Sequence, residues 1–264
     1  MPIPAAGYPR SAAVSPRVQV VEATGSTNAD VVAGVIADPA AWPHLSLELT
    51  TDQRHGRGRL DRTWTAPAGT ALAVSVAVGV AAIPVVSRGW IPLIAGAAMT
   101  RAMAAQVLGT GHSVGLKWPN DVLIDGAKIC GILAEAVAGH PDVVVIGSGV
   151  NTTMSQADLP VATATSFAAL GLEVDDDALL AAYLTALDEQ LTALAAAGGD
   201  AAAAGILGEM EALCTTIGSD VRVALPGGAT LEGRAQRLDP DGRLVVVAGE
   251  VETAVGAGDV VHVR

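Results

Sequence analysis

Aromatic side chains are scarce: four Trp, two Tyr and one Phe make up 3% of the 264 residues. Rows of stacking platforms for single-stranded nucleic acid are therefore missing. Positive charge is also scarce, with 15 Lys and Arg against 27 Asp and Glu, a net charge of −12. Broad phosphate neutralisation is excluded, while a local cationic site is not. The two cysteines, Cys130 and Cys214, form no CxxC pair, which excludes a disulfide framework and fits a reducing cytosol. His44, His55, His112, His140 and His262 show no zinc-ligand spacing, and neither GxxxxGK[ST] nor GxGxxG occurs. The longest apolar run, Trp90 to Met99, lies between Arg88 and Arg101. It falls short of the ~20 residues of a membrane span. Met1 to Pro16 lacks the apolar core of a signal peptide and reads as a loose tail. A soluble cytoplasmic protein without a membrane partner is expected.

What is present is 51% hydrophobic residues, enough for one large unit and a smaller one. Val18 to Glu22 reads as a strand, followed by a polar turn at 24–28 and a helix over Ala29 to Ala37 capped by Ser26 or Thr27. Leu45 to Thr51 alternates apolar and polar residues, as a half-buried strand does. Ala71 to Val80, Val114 to Lys117, Val122 to Ile124, Lys128 to Val137 and Val143 to Val150 read as further strands, with Asp125-Gly126 as a hairpin turn. Helices are expected over Ser87 to Leu108, with Pro92 in a first turn, over Asp175 to Leu194 with Gly198-Gly199 as the stop, and over Ala201 to Leu213. From Ile217 onward, five short strands in about 48 residues read as a small all-β barrel or sandwich. The expected division is a tail over 1–17, a catalytic unit over 18–215 and a β unit over 216–264.

Two constellations are candidates for chemistry. Gln53 to Trp64 holds four arginines, Arg54, Arg57, Arg59 and Arg62, with Gly56 and Gly58 between them. Alternating Gly and Arg lets backbone approach a ligand while guanidinium groups meet phosphate or carboxylate oxygens. An exposed arginine-rich loop is the plain alternative. Lys117-Trp118-Pro119-Asn120-Asp121 places a cation, an amide and a carboxylate at a rigid strand end, or is an ordinary turn. Lys128, leading into an apolar strand, is either a pre-positioned cation or a strand-edge charge. Gly25-Ser26-Thr27-Asn28, taken alone, is sufficiently explained by helix capping. Cys130 reads as a small buried hydrophobe, and Asp175-Asp176-Asp177 as a helix-start charge cluster.

In order along the chain come Thr24-Gly25-Ser26-Thr27-Asn28, the series Gln53, Gly56-Arg57-Gly58-Arg59, Arg62 and Trp64, then Lys117-Trp118-Pro119-Asn120-Asp121, Lys128-x-x-Gly131-Ile132-Leu133-x-Glu135 and Gly149-x-Asn151. This set closely resembles the bacterial biotin protein ligases, from about Val18 to the C-terminus. The resemblance implies an α/β fold of the α+β type. A mixed-sheet catalytic domain would precede a small barrel similar to the Src-homology-3 type. It implies that Ser26, Thr27, Asn28, Gln53, Gly56, Arg57, Lys128 and Gly131 bind biotin. Arg59, Arg62, Trp64, Lys117, Asn120, Asp121 and Asn151 would serve ATP, with Lys128, Lys117 and Arg59 as catalytic cations and Mg²⁺ arriving with the nucleotide. The implied acceptor is a biotin carboxyl carrier protein, with oligomeric state open, a homodimer included. The neighbouring alternatives are a lipoate or octanoate ligase of similar fold and a non-catalytic biotin-binding protein. Two departures stand out. His55 occupies a position where a small residue is common. Only about 17 residues precede the first strand, so no DNA-binding module fits there and no nucleic-acid partner is expected.

Overall fold

In the computed structural model, residues 7–59, 62–225, 228–256 and 258–263 are described. The centre is a seven-stranded mixed sheet in the order β1-β2-β5-β9-β8-β7-β6. Its strands are β1 (Val18–Val20), β2 (Ser46–Thr50), β5 (Ala71–Gly79), β6 (Val114–Lys117), β7 (Asp121–Ile124), β8 (Ala127–Val137) and β9 (His140–Asn151). Only β1 and β2 run parallel; the other neighbours are antiparallel. Between β2 and β5, β3 (Gly56–Arg57) and β4 (Thr63–Trp64) pair as a small hairpin.

Strand alternation divides the sheet into two unlike faces. On β5, Leu72, Val74, Val76 and Val78 enter the main core, which α3 (Ile91–Gln106) and α4 (Asp176–Ala196) complete. The intervening Ala73, Ser75 and Ala77 are small and face the side of α2 (Thr27–Ala37), where Val31, Val35 and Trp42 form a second cluster with Ala77 and Val145. Ser26 caps α2 through its hydroxyl, as the sequence predicts. Strand β2 is buried along its whole length instead of half-buried. It lies between two strands, with core on one face and α2 packed over the other. Pro92 sits in the first turn of α3, but a 3₁₀ segment, Val85–Trp90, replaces the start expected for that helix.

Two further expectations change. The stretch read as a loose tail contains α1 (Pro9–Val14), fastened to α4. Asp177 accepts from Arg10 N at 2.9 Å, Ser11 N at 2.8 Å and Ser11 Oγ at 2.8 Å. Asp175 both caps α4 and pairs with Arg10. The acidic triplet thus anchors a second helix besides starting its own. The last helix, α5 (Ile206–Leu213), is shorter than expected because Gly205, in the left-handed region at φ 75°, ends the preceding turns.

The C-terminal strands β10 (Asp220–Ala224), β11 (Thr230–Leu238), β12 (Leu244–Ala248), β13 (Val251–Val255) and β14 (Asp259–His262) form an antiparallel sheet in the order β13-β12-β11-β10-β14. Two buried tryptophans hold it to the larger unit. Trp118 donates from N to Thr216 Oγ1 (3.1 Å) and from Nε1 to Gly242 O (3.1 Å), and Trp90 Nε1 donates to Pro240 O (2.9 Å). Among the described residues, no helix is long and apolar enough to cross a membrane.

Candidate active site

The small face of the sheet makes a pocket. Ala73 lies opposite Gly149, Ser75 opposite Gly147, and Gly149 opposite Gly131. Three neighbouring strands, β5, β9 and β8, so lack side-chain bulk at one place, leaving a cavity of about 930 Å³ including its open mouth. The glycines are required here. A Cβ on Gly147 would stand 2.2 Å from Asn28 Oδ1, and one on Gly149 2.7 Å from the Trp64 ring.

At the closed end the polar groups are neutral and already bonded. The first turn of α2 brings Ser26, Thr27 and Asn28 to the wall, each at most 8% exposed. Gln53 Oε1 accepts from Thr27 N at 2.9 Å, which turns Gln53 Nε2 outward as a donor. Ser75 Oγ lies 2.7 Å from Thr27 Oγ1 and 2.5 Å from Asn28 Oδ1. Gly56 permits this arrangement, since a Cβ there would stand 2.5 Å from Gln53 Nε2.

At the open end the groups are charged. Lys128 Nζ pairs with Asp121 Oδ1 at 2.6 Å, and a side chain on Gly131 would crowd it, its Cβ standing 3.1 Å from Nζ. Arg59 Nη1 donates to Asn120 Oδ1 at 3.0 Å, and Asn120 is fixed by donating to Ile132 O at 2.6 Å. Arg57 pairs with Glu135 at 3.0 Å. Arg62 and Gly258, the latter from the C-terminal unit, also face the cavity. The Lys128–Asp121 pair is half-exposed. Such pairs contribute about 0–1 kcal/mol, so a phosphate or carboxylate can readily replace Asp121 as the partner of Lys128.

The Biotin/lipoate A/B protein ligase family profile matches residues 36–151, and the Biotin protein ligase C terminal domain matches residues 216–263. The chain is 39% identical to the biotin–[acetyl-CoA-carboxylase] ligase of Mycobacterium tuberculosis over 94% of its own length and 90% of that protein's. The chain belongs to the biotin protein ligase family. This ligase is also 28% identical to the bifunctional ligase/repressor BirA of Bacillus spizizenii, over 83% of its length and 66% of that protein's. Its fold is similar to the biotin protein ligase of Aquifex aeolicus solved in complex with biotin and ATP, with TM-score 0.74, 20% identity, and 94% and 99% of the two chains covered.

Most residues singled out from the sequence of the ligase meet in this one cavity: Ser26, Thr27, Asn28 and Gln53 at one end, Arg57, Arg59, Arg62, Asn120, Asp121 and Lys128 at the other, with Trp64 and Gly131 lining it. Trp64 lies against Gly149 and Gly56, walling the hollow. Three do not face the cavity. Gly56 acts by lacking a side chain, as above. Asn151 is buried and donates to Thr165 O at 2.9 Å, bracing the segment whose Thr163 O and Thr165 N bond the Lys128 backbone. Lys117, paired in register with Asp121, lies beside His262 of the C-terminal sheet, where burial first and the lysine charge second lower the imidazole pKa.

Sequence reasoning missed most of the floor, namely Ala73, Ser75 and Gly147, and gave Gly149 of the Gly149-x-Asn151 motif no role, although small residues at alternate positions of β5 and β9 carried the signal. It also left Glu135 without a role. One string, Gly111-His112-Ser113-Val114-Gly115, has the GxSxG spacing of a nucleophile elbow. It leads from a turn into β6 instead of from a strand into a helix, and Ser113 Oγ donates to Asp125 at 3.0 Å, so it carries no activated serine. Burial pushes the Cys130 thiol up to about 12, in keeping with a packing role. Among the described residues no three His, Cys, Asp or Glu side chains converge to hold a metal.

Proposed function

We propose that this protein forms biotinyl-5′-AMP from biotin and ATP and then transfers biotin to a lysine of a biotin carboxyl carrier protein. One observation carries the reading: a neutral, hydrogen-bonding hollow and a cationic mouth share a single cavity. A ureido ring is neutral, with one acceptor and two donors, and suits the Thr27–Gln53 end. In the first step a carboxylate oxygen of biotin bonds the α-phosphorus and the bond to pyrophosphate breaks. Both reactants are anions, so the chief task is cancelling their repulsion. Lys128 and Arg59 supply that charge, Asn120 orients Arg59, and Mg²⁺ accompanies the nucleotide phosphates. In the second step the acceptor amine attacks the acyl carbon, AMP leaves, and the amine proton passes to solvent. The Gly-Arg hairpin shields the anhydride from water between the steps.

The catalytic unit is taken as residues 18–215 and the C-terminal unit as 216–264. Gly258 at the cavity supports a part for the latter in completing the open end. A net charge of −12 and two free, buried cysteines support a cytoplasmic protein without a nucleic-acid partner. The reading holds for a monomer or a homodimer alike.

Incubation with biotin, ATP-Mg²⁺ and a carrier domain should raise the carrier's intact mass by one biotinyl group, with biotin-dependent release of pyrophosphate. A mass gain from lipoate in place of biotin, or biotin binding without pyrophosphate release, would overturn the proposal.

A further inference from the structure

A file of polar side chains runs behind the hollow. Thr27 Oγ1 lies 3.1 Å from Gln53 Oε1 and 2.7 Å from Ser75 Oγ; Ser75 Oγ lies 2.5 Å from Asn28 Oδ1. Asn28 Nδ2 then donates to Glu135 Oε2 at 2.6 Å and, at a longer 3.4 Å, to Leu133 O. The three oxygen–oxygen contacts share two hydroxyl hydrogens, one on Thr27 and one on Ser75. Where they go is decidable. An ionised carboxylate only accepts, so Asn28 must turn its NH₂ to Glu135 and its carbonyl oxygen to Ser75. Ser75 must then donate to Asn28, because two lone pairs facing each other at 2.5 Å repel. Of the two acceptors then within reach of the Thr27 hydroxyl, Ser75 Oγ at 2.7 Å is nearer than Gln53 Oε1 at 3.1 Å, so Thr27 donates to Ser75. The contact left without a hydrogen is the longest, to Gln53 Oε1, which already accepts from Thr27 N. With its hydrogen directed inward, the Thr27 hydroxyl offers the cavity a lone pair.

We propose that Glu135, which does not line the hollow, is a positioning residue whose carboxylate sets the direction of this chain and thereby makes Thr27 an acceptor for a ligand N–H. Arg57 donates to the same Glu135 oxygen at 3.0 Å, so the residue also ties the Gly-Arg hairpin to the first turn of α2. Gly147 makes room for the link, since any side chain there would displace Asn28. The inference rests on the biotin reading and names the polarity with which the ureido ring is met.

The test compares Glu135→Leu, which leaves Asn28 only the longer contact to Leu133 O, with Glu135→Gln, which retains one oxygen able to accept from both Asn28 and Arg57. Glu135→Leu should weaken biotin binding by calorimetry about tenfold, the worth of one hydrogen bond, with kcat for pyrophosphate release at saturating biotin changed less than threefold. Glu135→Gln should recover most of the loss. The decisive readout is a biotin methylated on either ureido nitrogen, each tried in turn. Wild type should reject at least one of them strongly, and Glu135→Leu should lose that discrimination. Should Glu135→Leu not fold, Ser75→Ala interrupts the same chain and must show the same loss of discrimination. Unchanged biotin affinity, or an equal loss for biotin and its methylated forms, would overturn the inference. If the wild type itself forms no biotinyl adenylate, the parent reading fails instead.

Discussion

The two ends of the cavity are made of opposite materials. In the closed end, Ser26, Thr27, Asn28 and Ser75 are neutral, at most 8% exposed, and hydrogen-bonded before any ligand arrives, Ser26 to the Ala29 backbone and the others to one another or to Gln53. In the open end, Lys128 and Arg57 are 42% and 50% exposed and spend their charge on Asp121 and Glu135. The closed end is pre-organised, so binding there needs little rearrangement. The open end keeps its cations in weak internal pairs, so an incoming polyanion exchanges one partner for another. Affinity for the neutral ring and catalysis on the charged groups are thereby housed apart, and substitutions should separate them.

The largest separation is expected from Lys128→Ala. Removing a cation from the developing charge should slow single-turnover adenylation by about 10²–10³-fold, while biotin binding by calorimetry stays within about threefold. A biotin affinity that falls in step with the rate would mean that the two ends act as one. The converse is Gly147→Ala. Its Cβ would stand 2.2 Å from Asn28 Oδ1, which is buried and held on both sides. Biotin affinity should fall about 10- to 100-fold from this overpacking, with the KM for ATP nearly unchanged. Wild-type biotin affinity in that variant would show that the closed end can yield.

These two variants also differ in how far the sequence announced them. Lys128 was legible as a lone cation entering an apolar strand, although its pairing with Asp121 was not, because the register sets Asp121 opposite Gly131 and Lys128 opposite Leu123. Gly147 was not, because its importance lies in Asn28, which is 119 positions earlier in the chain. Elements with strong local patterns, such as α4 and the Asp125-Gly126 hairpin, emerged where they were expected. The sequence could not show that Lys117 turns toward the C-terminal sheet while Lys128 faces the cavity, since both end or begin strands of similar composition. Nor could it show that Asp177 holds α1, a contact spanning 166 residues. Apart from the Lys128–Asp121 pair, what was lost was in each case a long-range pairing.

A smaller effect tests the charge difference directly. Raising NaCl from about 0.05 to 0.5 M shortens the screening length severalfold. The KM for ATP should rise several-fold, while the Kd for biotin, measured without ATP, should change less than twofold. Equal salt sensitivity would place charge at both ends.

The smallest effect concerns a carboxyl beside the neutral end. Glu48 lies opposite Ser75 in register on β2, is 2% exposed, and accepts from Gln19 Nε2 at 2.7 Å, while its Oε1 has no hydrogen-bond partner. Burial, reinforced by the Asp30 carboxylate, raises its pKa from 4.5 to about 7, against a smaller opposing pull from Arg17. A raised carboxyl pKa means that the folded protein holds the proton more tightly than the unfolded chain. The associated stability is complete below about pH 4.5, falls as pH rises toward 7, and is absent above. Glu48→Gln, which cannot ionise, should therefore raise Tm by roughly 5 °C at pH 8 and by much less at pH 5. Thermal melts of both proteins across that range check the sign. If the variant gains nothing at pH 8, Glu48 is comfortable as an anion, and the neutral end has a charge behind it.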